Sequence, residues 1–298
     1  MVRFEYLEPT RIQEAVAILS RYGNEAKVLA GGTDLLPQLK ERTLKPRFVV
    51  NIKRLGFEKI AVIPGNGVRI GALTTLHAIE VSPFLKERYS ALAEAAHLLG
   101  SPQVRNLATL GGNLCNAAPS AETASPLLSL SASARVVGPQ GERVLPLDSF
   151  FTGPGATVLK EDDLLTEIIL PGSPPRMKSV YLKHCPRGSM DIAVVGVAAT
   201  LVLSSEGGRI ERCLIGLGAV APTPIRAKGT EELLQGRKPT EHLVKEAAEK
   251  AAAESDPISN IRGTADYRRQ MVKVLTTRAL LTALERAHPE NNNRKELR

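Results

Sequence analysis

"LAGGTDLLPQLK", from Leu29 to Lys40, carries a glycine pair directly after a short apolar run, and a second pair lies in "TLGGNLCNAAPSAE", from Thr109 to Glu122. Glycine permits positive φ and a close approach of ligand to main chain, and successive N–H groups in such a turn form a nest for an anion. Two turns facing each other would hold the two phosphates of a dinucleotide. Thr33, Thr109 and Asn113 would add hydroxyl and amide donors.

Neither glycine pair has the spacing of a common nucleotide motif. The Rossmann fingerprint needs G-x-G-x-x-G, whereas Gly-Gly-Thr-Asp is followed here by Leu-Leu-Pro, and a P-loop needs Gly-Lys-Ser/Thr, which the chain lacks. A glycine pair alone is more often a simple tight turn. Asp34 also places an anion beside the first pair, so we expect its side chain to point away and to cap the following turn. The residues by themselves leave both interpretations open.

The bulk composition excludes several classes of protein. The chain has 298 residues, 43% of them hydrophobic, which is enough for two domains with buried cores. No apolar run reaches membrane-spanning length and "MVRFEYLEPT" lacks a signal core, so we expect a cytoplasmic protein without a membrane span. The net charge of +8 is spread along a chain with 4% aromatics and no Trp. This pattern favours a solvated basic surface over nucleic-acid binding.

No residue pattern predicts a metal site or a catalytic side chain. The three cysteines, Cys115, Cys185 and Cys213, match no cluster spacing, and the five histidines show no HxxH or HExxH motif. No Ser-His-Asp, Cys-His or paired-carboxylate arrangement is evident. We therefore assign no catalytic residue and no metal ligand.

The apolar pattern changes near residue 174 and predicts an α+β protein of two domains, 1–173 and 174–298. Before that point short strands alternate with helices, including a helix over Ser82–Leu99. "GSPPRMK", from Gly172 to Lys178, is rich in Pro, Gly and Ser, a composition typical of a linker. Three long strands then precede three helices, with a hairpin turn at Ser205–Gly208, which favours an antiparallel sheet with helices packed on it.

The two glycine motifs, in this order and at this distance, resemble those of the FAD-binding medium subunits of the molybdenum hydroxylases, the xanthine dehydrogenase and carbon monoxide dehydrogenase family. Three further stretches resemble this family in register: "FFTGPGATVLKEDDLLTEIILP", "AVAPTPIRAKGTE" and "RGTADYRRQMVKVLTTRAL". The resemblance implies a two-part FAD-binding fold of the vanillyl-alcohol-oxidase (PCMH) type, with subdomains of about 1–55 and 56–173. A smaller C-terminal α+β domain with a three-stranded antiparallel sheet and helices would follow.

The same resemblance implies FAD as the cofactor and two loops that hold its pyrophosphate. The residues expected in the first loop are Val28, Leu29, Ala30, Gly31, Gly32, Thr33, Asp34 and Leu35. Those expected in the second are Thr109, Leu110, Gly111, Gly112 and Asn113. Glu122 stands where the family usually has Asp, a carboxylate suited to accept hydrogen bonds from FAD hydroxyls.

Further cofactor contacts are implied at four positions. Leu99 and Ser101 fall near the family's adenine side, and Leu165 and Lys183 near other parts of the flavin. Each apolar residue here is an equally good core residue, Lys183 an equally good surface cation, and Glu122 an alternative N-cap for the helix that follows. Tyr181 is a weaker candidate for a position near the isoalloxazine.

Two departures from the family pattern bear on the cofactor. The family often has Lys in "GPGKT", and Ala156 occupies that position here. If that Lys anchors or tunes the flavin, Lys183 or another cation replaces it, or the flavin potential differs. The cysteine-rich cluster insert of the 4-hydroxybenzoyl-CoA reductase branch is absent after the second loop.

The resemblance implies an oxidoreductase subunit that transfers electrons. Substrate would react at molybdenum on a large molybdopterin-binding subunit, and electrons would reach FAD through a small [2Fe–2S] subunit and leave to NAD⁺ or another acceptor. The assembly would contain two such three-subunit units. Two other hypotheses stay open: a stand-alone flavin oxidoreductase with its own small substrate, and a non-enzymatic nucleotide-binding protein. Because the substrate would react on the large subunit, the resemblance implies that this chain does not determine which substrate the complex uses.

Overall fold

The computed structural model describes residues 3–65, 67–188, 190–204 and 208–287, and it has a mixed α/β fold built on three main sheets. The first sheet is parallel, in the order β1-β3-β2. Its strands are β1 (Glu5–Leu7), β2 (Ala26–Leu29) and β3 (Phe48–Asn51), and its helices are α1 (Ile12–Tyr22) and α2 (Leu35–Glu41). Helix α1 buries Ala15, Val16 and Leu19 against the strands because their helical spacing puts them on one face.

The second sheet has five antiparallel strands, in the order β4-β5-β10-β6-β7. The strands are β4 (Ile60–Ile63), β5 (Gly67–Gly71), β6 (Ser133–Gly138), β7 (Gly141–Pro146) and β10 (Leu164–Leu170), with a separate small hairpin of β8 (Phe151–Gly153) and β9 (Ala156–Thr157). Six short helices share its core: α3 (Leu76–Val81), α4 (Pro83–Arg88), α5 (Ser90–Leu98), α6 (Pro102–Arg105), α7 (Leu110–Cys115) and α8 (Ala124–Ser129).

The single helix expected over Ser82–Leu99 is wrong, because Tyr89 divides it into α4 and α5. Tyr89 has φ −136° and ψ 48°, outside the helical region. This backbone lets its side chain become buried while its hydroxyl donates to the carbonyl of Pro171 at 2.7 Å. A tertiary hydrogen bond therefore overrides local helical periodicity.

The third sheet is antiparallel, in the order β11-β12-β13-β14. Its strands are β11 (Met177–His184), β12 (Val195–Leu203), β13 (Ile210–Gly218) and β14 (Ile225–Arg226), and the helices that follow are α9 (Lys228–Leu234), α10 (Glu241–Ala253) and α11 (Ala265–Ala287). The three long strands and three helices are confirmed, and β14 adds a two-residue edge strand. Of the expected turn at 205–208, residues 205–207 lie outside the described residues.

The third sheet is covered on both faces, because side chains alternate along each strand. Val180 and Val197 face the core shared with α10 and α11. Tyr181 and Ala198 face α5 on the opposite side, in a cluster with Ala91. The C-terminal sheet thus packs directly on helices of the preceding sheet.

Polar contacts reinforce this junction at Ser179 in β11. Its carbonyl accepts hydrogen bonds from the Ser90 hydroxyl at 2.6 Å and from Nη1 of Arg286 at 2.7 Å. The same Arg286 nitrogen lies 2.7 Å from the Glu94 carboxylate. These contacts fix helices α5 and α11 relative to strand β11. They therefore also fix the position of Lys183, which lies further along β11.

Candidate functional site: two glycine loops and a buried ion pair

The first glycine loop crosses from the end of β2 to the start of α2 and packs on the chain that leads into the second loop. A Cβ on Gly31 would lie 2.1 Å from the carbonyl oxygen of Leu107, so no other residue fits without moving the backbone. Gly32 has φ +79°, a left-handed conformation that glycine adopts without strain. The close contact with Leu107 thus requires glycine at position 31.

The backbone donors of the first loop are open. Within the described residues, the N–H groups of Gly31, Gly32, Thr33 and Asp34 have no hydrogen-bond partner, and neither has the Thr33 hydroxyl. Gly31, Gly32 and Thr33 are half-buried, whereas Asp34 is exposed. Since buried or half-buried backbone N–H groups are nearly always paired, the three open ones at Gly31–Thr33 indicate a place for an external acceptor. Successive N–H groups of this kind form the anion nest expected for a pyrophosphate.

The second glycine loop uses its N–H groups internally. Leu110 donates to the Thr74 carbonyl at 3.0 Å, Gly111 to the Ala72 carbonyl at 2.8 Å, and Gly112 to Oγ1 of Thr109 at 3.1 Å. Thr109 is the N-cap of α7. The second backbone nest expected from the glycine pair is therefore not formed by these groups, because each already has a partner.

Close packing explains the glycine at position 111. A Cβ there would lie 2.7 Å from Cβ of Ala72, on the segment after β5. Gly111 thus allows helix α7 to pack closely against the second sheet. Because the N–H groups of Leu110, Gly111 and Gly112 are already paired, side chains are the donors that this loop can offer to a ligand.

Asn113 is such a donor. Its Oδ1 accepts hydrogen bonds from Oγ1 of Thr123 at 2.5 Å and from the Thr123 N–H at 3.4 Å. Its Nδ2 has no partner among the residues that the structure describes. Since the hydrogen bonds from Thr123 identify Oδ1 as the accepting end of the amide, the N–H₂ end points away from Thr123 and is free to donate.

Asp34 does not cap helix α2, so that expectation is wrong. Asp34 stands at the N-cap position but has helical φ −102° and ψ −46°, whereas a capping side chain reaches back from an extended backbone. Its Oδ1 instead accepts from Nδ2 of Asn116 at 3.3 Å, which joins the first loop to the segment after the second. Desolvation raises the pKa of the Asp34 carboxyl above its ordinary value.

Glu122 and Lys183 form an ion pair of 2.9 Å between Oε1 and Nζ. Lys183 also donates to the carbonyls of Asp191 at 2.6 Å and Leu98 at 3.3 Å. The alternative role of Glu122 as a helix cap is not observed, since Thr123 is the N-cap of α8. Two predicted site residues, 61 positions apart, are thus in direct contact.

Tyr181 lies on the same strand as Lys183 and is buried against α5. Desolvation, with the charges of Glu122 and Cys185, raises the pKa of its hydroxyl well above the ordinary value. This group therefore stays protonated at physiological pH and does not serve as a base.

The other predicted contacts fall into two groups. Leu99, Leu110 and Leu165 are buried in the core of the second sheet, and Ser101 accepts from the Val104 N–H at 3.3 Å as the N-cap of α6. The remaining residues of the first loop are half-buried: Val28, Leu29, Ala30 and Leu35. Their contacts with FAD stay predictions.

Sequence reasoning missed the residues that support the loops. Ala72 and Thr74 accept the second loop's N–H groups through their carbonyls, and Leu107 lies against Gly31. Asn116 holds Asp34. A contact made by a backbone carbonyl does not depend on the identity of its side chain, so the sequence does not reveal it. Of these residues, only Asn116, which lies within the quoted motif, could have been predicted from the sequence.

Comparison with known proteins identifies the family of this chain. A family described as the FAD binding domain in molybdopterin dehydrogenase matches residues 2–173. The chain belongs to this family. The CO dehydrogenase flavoprotein C-terminal domain matches residues 180–283. The resemblance read from the motifs is confirmed, and with it the fold, FAD as the cofactor and the oxidoreductase class.

Relatives in the family match over almost their full length. The carbon monoxide dehydrogenase medium chain of Hydrogenophaga pseudoflava is 37% identical, over 95% of this chain and 98% of its own. The putative xanthine dehydrogenase FAD-binding subunit of Escherichia coli K12 is 31% identical, over 95% and 96%. The solved Hydrogenophaga pseudoflava enzyme that lacks the Mo-pyranopterin moiety superimposes with a TM-score of 0.91 at 36% identity, covering 95% of this chain and 98% of that one.

Two classes of site were also sought in the described ranges. None of the helices there is long and apolar enough to cross a membrane. No group of three or more His, Cys, Asp or Glu side chains within those ranges is arranged to hold a metal ion.

Proposed function

We propose that this chain is the FAD-carrying electron-transfer subunit of a molybdenum hydroxylase complex. It receives electrons from a small [2Fe–2S] subunit and passes them to NAD⁺ or another acceptor, while a large molybdopterin-binding subunit transforms the substrate. The assembly is a dimer of such heterotrimers. Family membership and the relatives named as medium chains support this proposal.

The observation that carries the proposal is the run of four open N–H groups at Gly31–Asp34. A dinucleotide pyrophosphate supplies the anionic acceptors that these groups lack. FAD supplies the redox chemistry when bound, and the protein supplies its position and electrostatics. The position of the loop is fixed by packing, because a Cβ at Gly31 would lie 2.1 Å from the carbonyl oxygen of Leu107.

The residues of the site have different proposed tasks. The first loop binds the pyrophosphate through backbone N–H groups, and Asn113 adds its free amide donor. Glu122 accepts from cofactor hydroxyls through its second carboxylate oxygen, while Lys183 holds its first. No side chain in this scheme gains or loses a proton, which agrees with the absence of a catalytic constellation in the sequence.

Absorption spectroscopy of the purified chain, before and after addition of FAD, tests the proposal. We expect flavin absorption that survives desalting, and heat should release FAD. Mixed with its reduced [2Fe–2S] subunit, the chain should lose this absorption and regain it when acceptor is added. A chain that binds no FAD, alone or within the co-purified complex, contradicts the proposal. Substrate oxidation by the chain alone would favour a stand-alone oxidoreductase instead.

A further inference from the structure

The turn Asn260–Gly263, between α10 and α11, presents an apolar side chain to solvent. Ile261 is 98% exposed and Ile258 is 67% exposed. Burial of apolar surface is the main favourable term in protein association. Ile261 gains almost no such burial from the residues that the structure describes.

This turn is preorganised. Asn260 and Gly263 exchange both backbone hydrogen bonds, each at 3.1 Å. Oδ1 of Asn260 accepts from the Arg262 N–H at 2.9 Å and from Nη2 of Arg268 at 2.8 Å. A turn already held in one conformation has little entropy to lose on binding, which favours its use as a contact point.

The turn also carries unbalanced positive charge. Arg268 is buried and donates only to neutral oxygens, those of Val194, Ala219 and Asn260. Desolvation and the charge of Arg262 lower the pKa of Arg268. Among the described residues the Arg262 guanidinium has no hydrogen-bond or ion-pair partner. An acidic group from outside the chain would therefore be attracted by both guanidinium groups.

The turn is continuous with the candidate cofactor site. Arg268 binds the carbonyls of Val194 and Ala219, at the end of the third sheet where β12 begins and β13 ends. The Ala219 N–H donates to the Pro119 carbonyl at 2.7 Å, on the segment that leads to Glu122. The Tyr267 hydroxyl lies 2.9 Å from Nε2 of His184, the neighbour of Lys183.

We propose that the Asn260–Gly263 turn is a docking point for the [2Fe–2S] subunit, with Ile261 entering an apolar pocket and Arg262 meeting a carboxylate at its rim. This inference rests on the proposed function. We choose the electron donor as the partner because Arg268 and Tyr267 connect the turn by hydrogen bonds to the segments that adjoin Glu122 and Lys183, the proposed cofactor residues.

Binding of the purified [2Fe–2S] subunit to the full-length, FAD-loaded chain tests this. Ile261→Ser and Arg262→Glu should each raise Kd about tenfold or more, the scale of an interface hot spot. Val62→Ser is the matched control, since Val62 is 51% exposed on the distant edge strand β4. It should leave Kd unchanged. FAD content and Tm should be equal in all four proteins, and Arg262→Glu should weaken the salt dependence of binding.

The outcomes separate this inference from the proposed function. If wild type binds and both turn variants bind equally well, the inference is overturned and the proposed function stands. If wild type does not bind the [2Fe–2S] subunit, both are overturned. If the variants lose only self-association, or only binding to the molybdopterin subunit, the turn serves a different partner and the inference is again overturned.

Discussion

Nζ of Lys183 lies 2.9 Å from Oε1 of Glu122, and the two side chains are only 4% and 12% exposed. The pair joins strand β11 of the C-terminal sheet to the segment before α8. Because this buried ion pair joins the two parts, the geometry of the candidate flavin site depends on how the C-terminal sheet packs.

Lys183→Met should lower the free energy of unfolding by about 3 kcal/mol, because it leaves the Glu122 carboxylate buried without its cation. The same variant should retain less FAD. Lys183→Met combined with Glu122→Gln should be less destabilised than the sum of the single variants. Urea unfolding of the three proteins measures this coupling.

The control for this cycle is an exposed pair, Lys245–Glu241, whose atoms lie 2.6 Å apart on α10. Lys245→Met should cost less than about 1 kcal/mol. Additive single and double variants at Lys183 and Glu122 would show that the pair makes no coupled contribution.

Gly32→Ala should weaken FAD binding, whereas Gly56→Ala should not. Both glycines have φ +79°, so each alanine adds a similar backbone strain of about 1–2 kcal/mol. A Cβ at Gly32 would lie 3.0 Å from Cδ1 of Leu29 and 3.1 Å from Cδ1 of Leu36, whereas nothing lies within 4 Å at Gly56. Fluorescence titration with FAD and thermal unfolding separate the two effects. Equal FAD affinity in both variants would remove the first loop from the site.

Asn113→Asp should reduce FAD affinity at least about tenfold while the fold is kept. The acceptor for Thr123 survives, but the free amide donor becomes an anion at the proposed pyrophosphate site. Asn106→Asp adds the same charge three residues before Thr109, on a side chain without a hydrogen bond in the described structure. If Asn106→Asp weakens binding as much, the effect is a general charge effect and Asn113 makes no contact.

Asp163 should make stability depend on pH in the acid range. Desolvation raises the pKa of this buried carboxyl, but hydrogen bonds from Arg143 and the Lys160 N–H outweigh it and hold the pKa below its ordinary 3.8. The contribution is therefore full above about pH 4 and is lost as pH falls through the folded pKa.

Asp163→Asn should cost about 2 kcal/mol at pH 7, the scale of hydrogen bonds to a charged group. The difference from wild type should shrink toward pH 3. Urea unfolding at both pH values measures it, and a difference that does not change with pH would contradict the assignment.

Much of the fold could be read from local patterns. The length of the apolar runs predicted β11, β12 and β13. These elements follow from side chains that must be buried on one face. Where a local pattern failed, as at Tyr89, a hydrogen bond to the distant Pro171 decided the backbone.

The sequence by itself determined the three long strands and three helices of the C-terminal part, the positions of the two glycine turns and the family they resemble. Only the tertiary structure decided that the first turn keeps its N–H groups open while the second uses them on Ala72 and Thr74. It also decided that Glu122 and Lys183 meet. The reason is physical: which backbone groups remain free, and which charges come together, depends on neighbours that are distant in the chain.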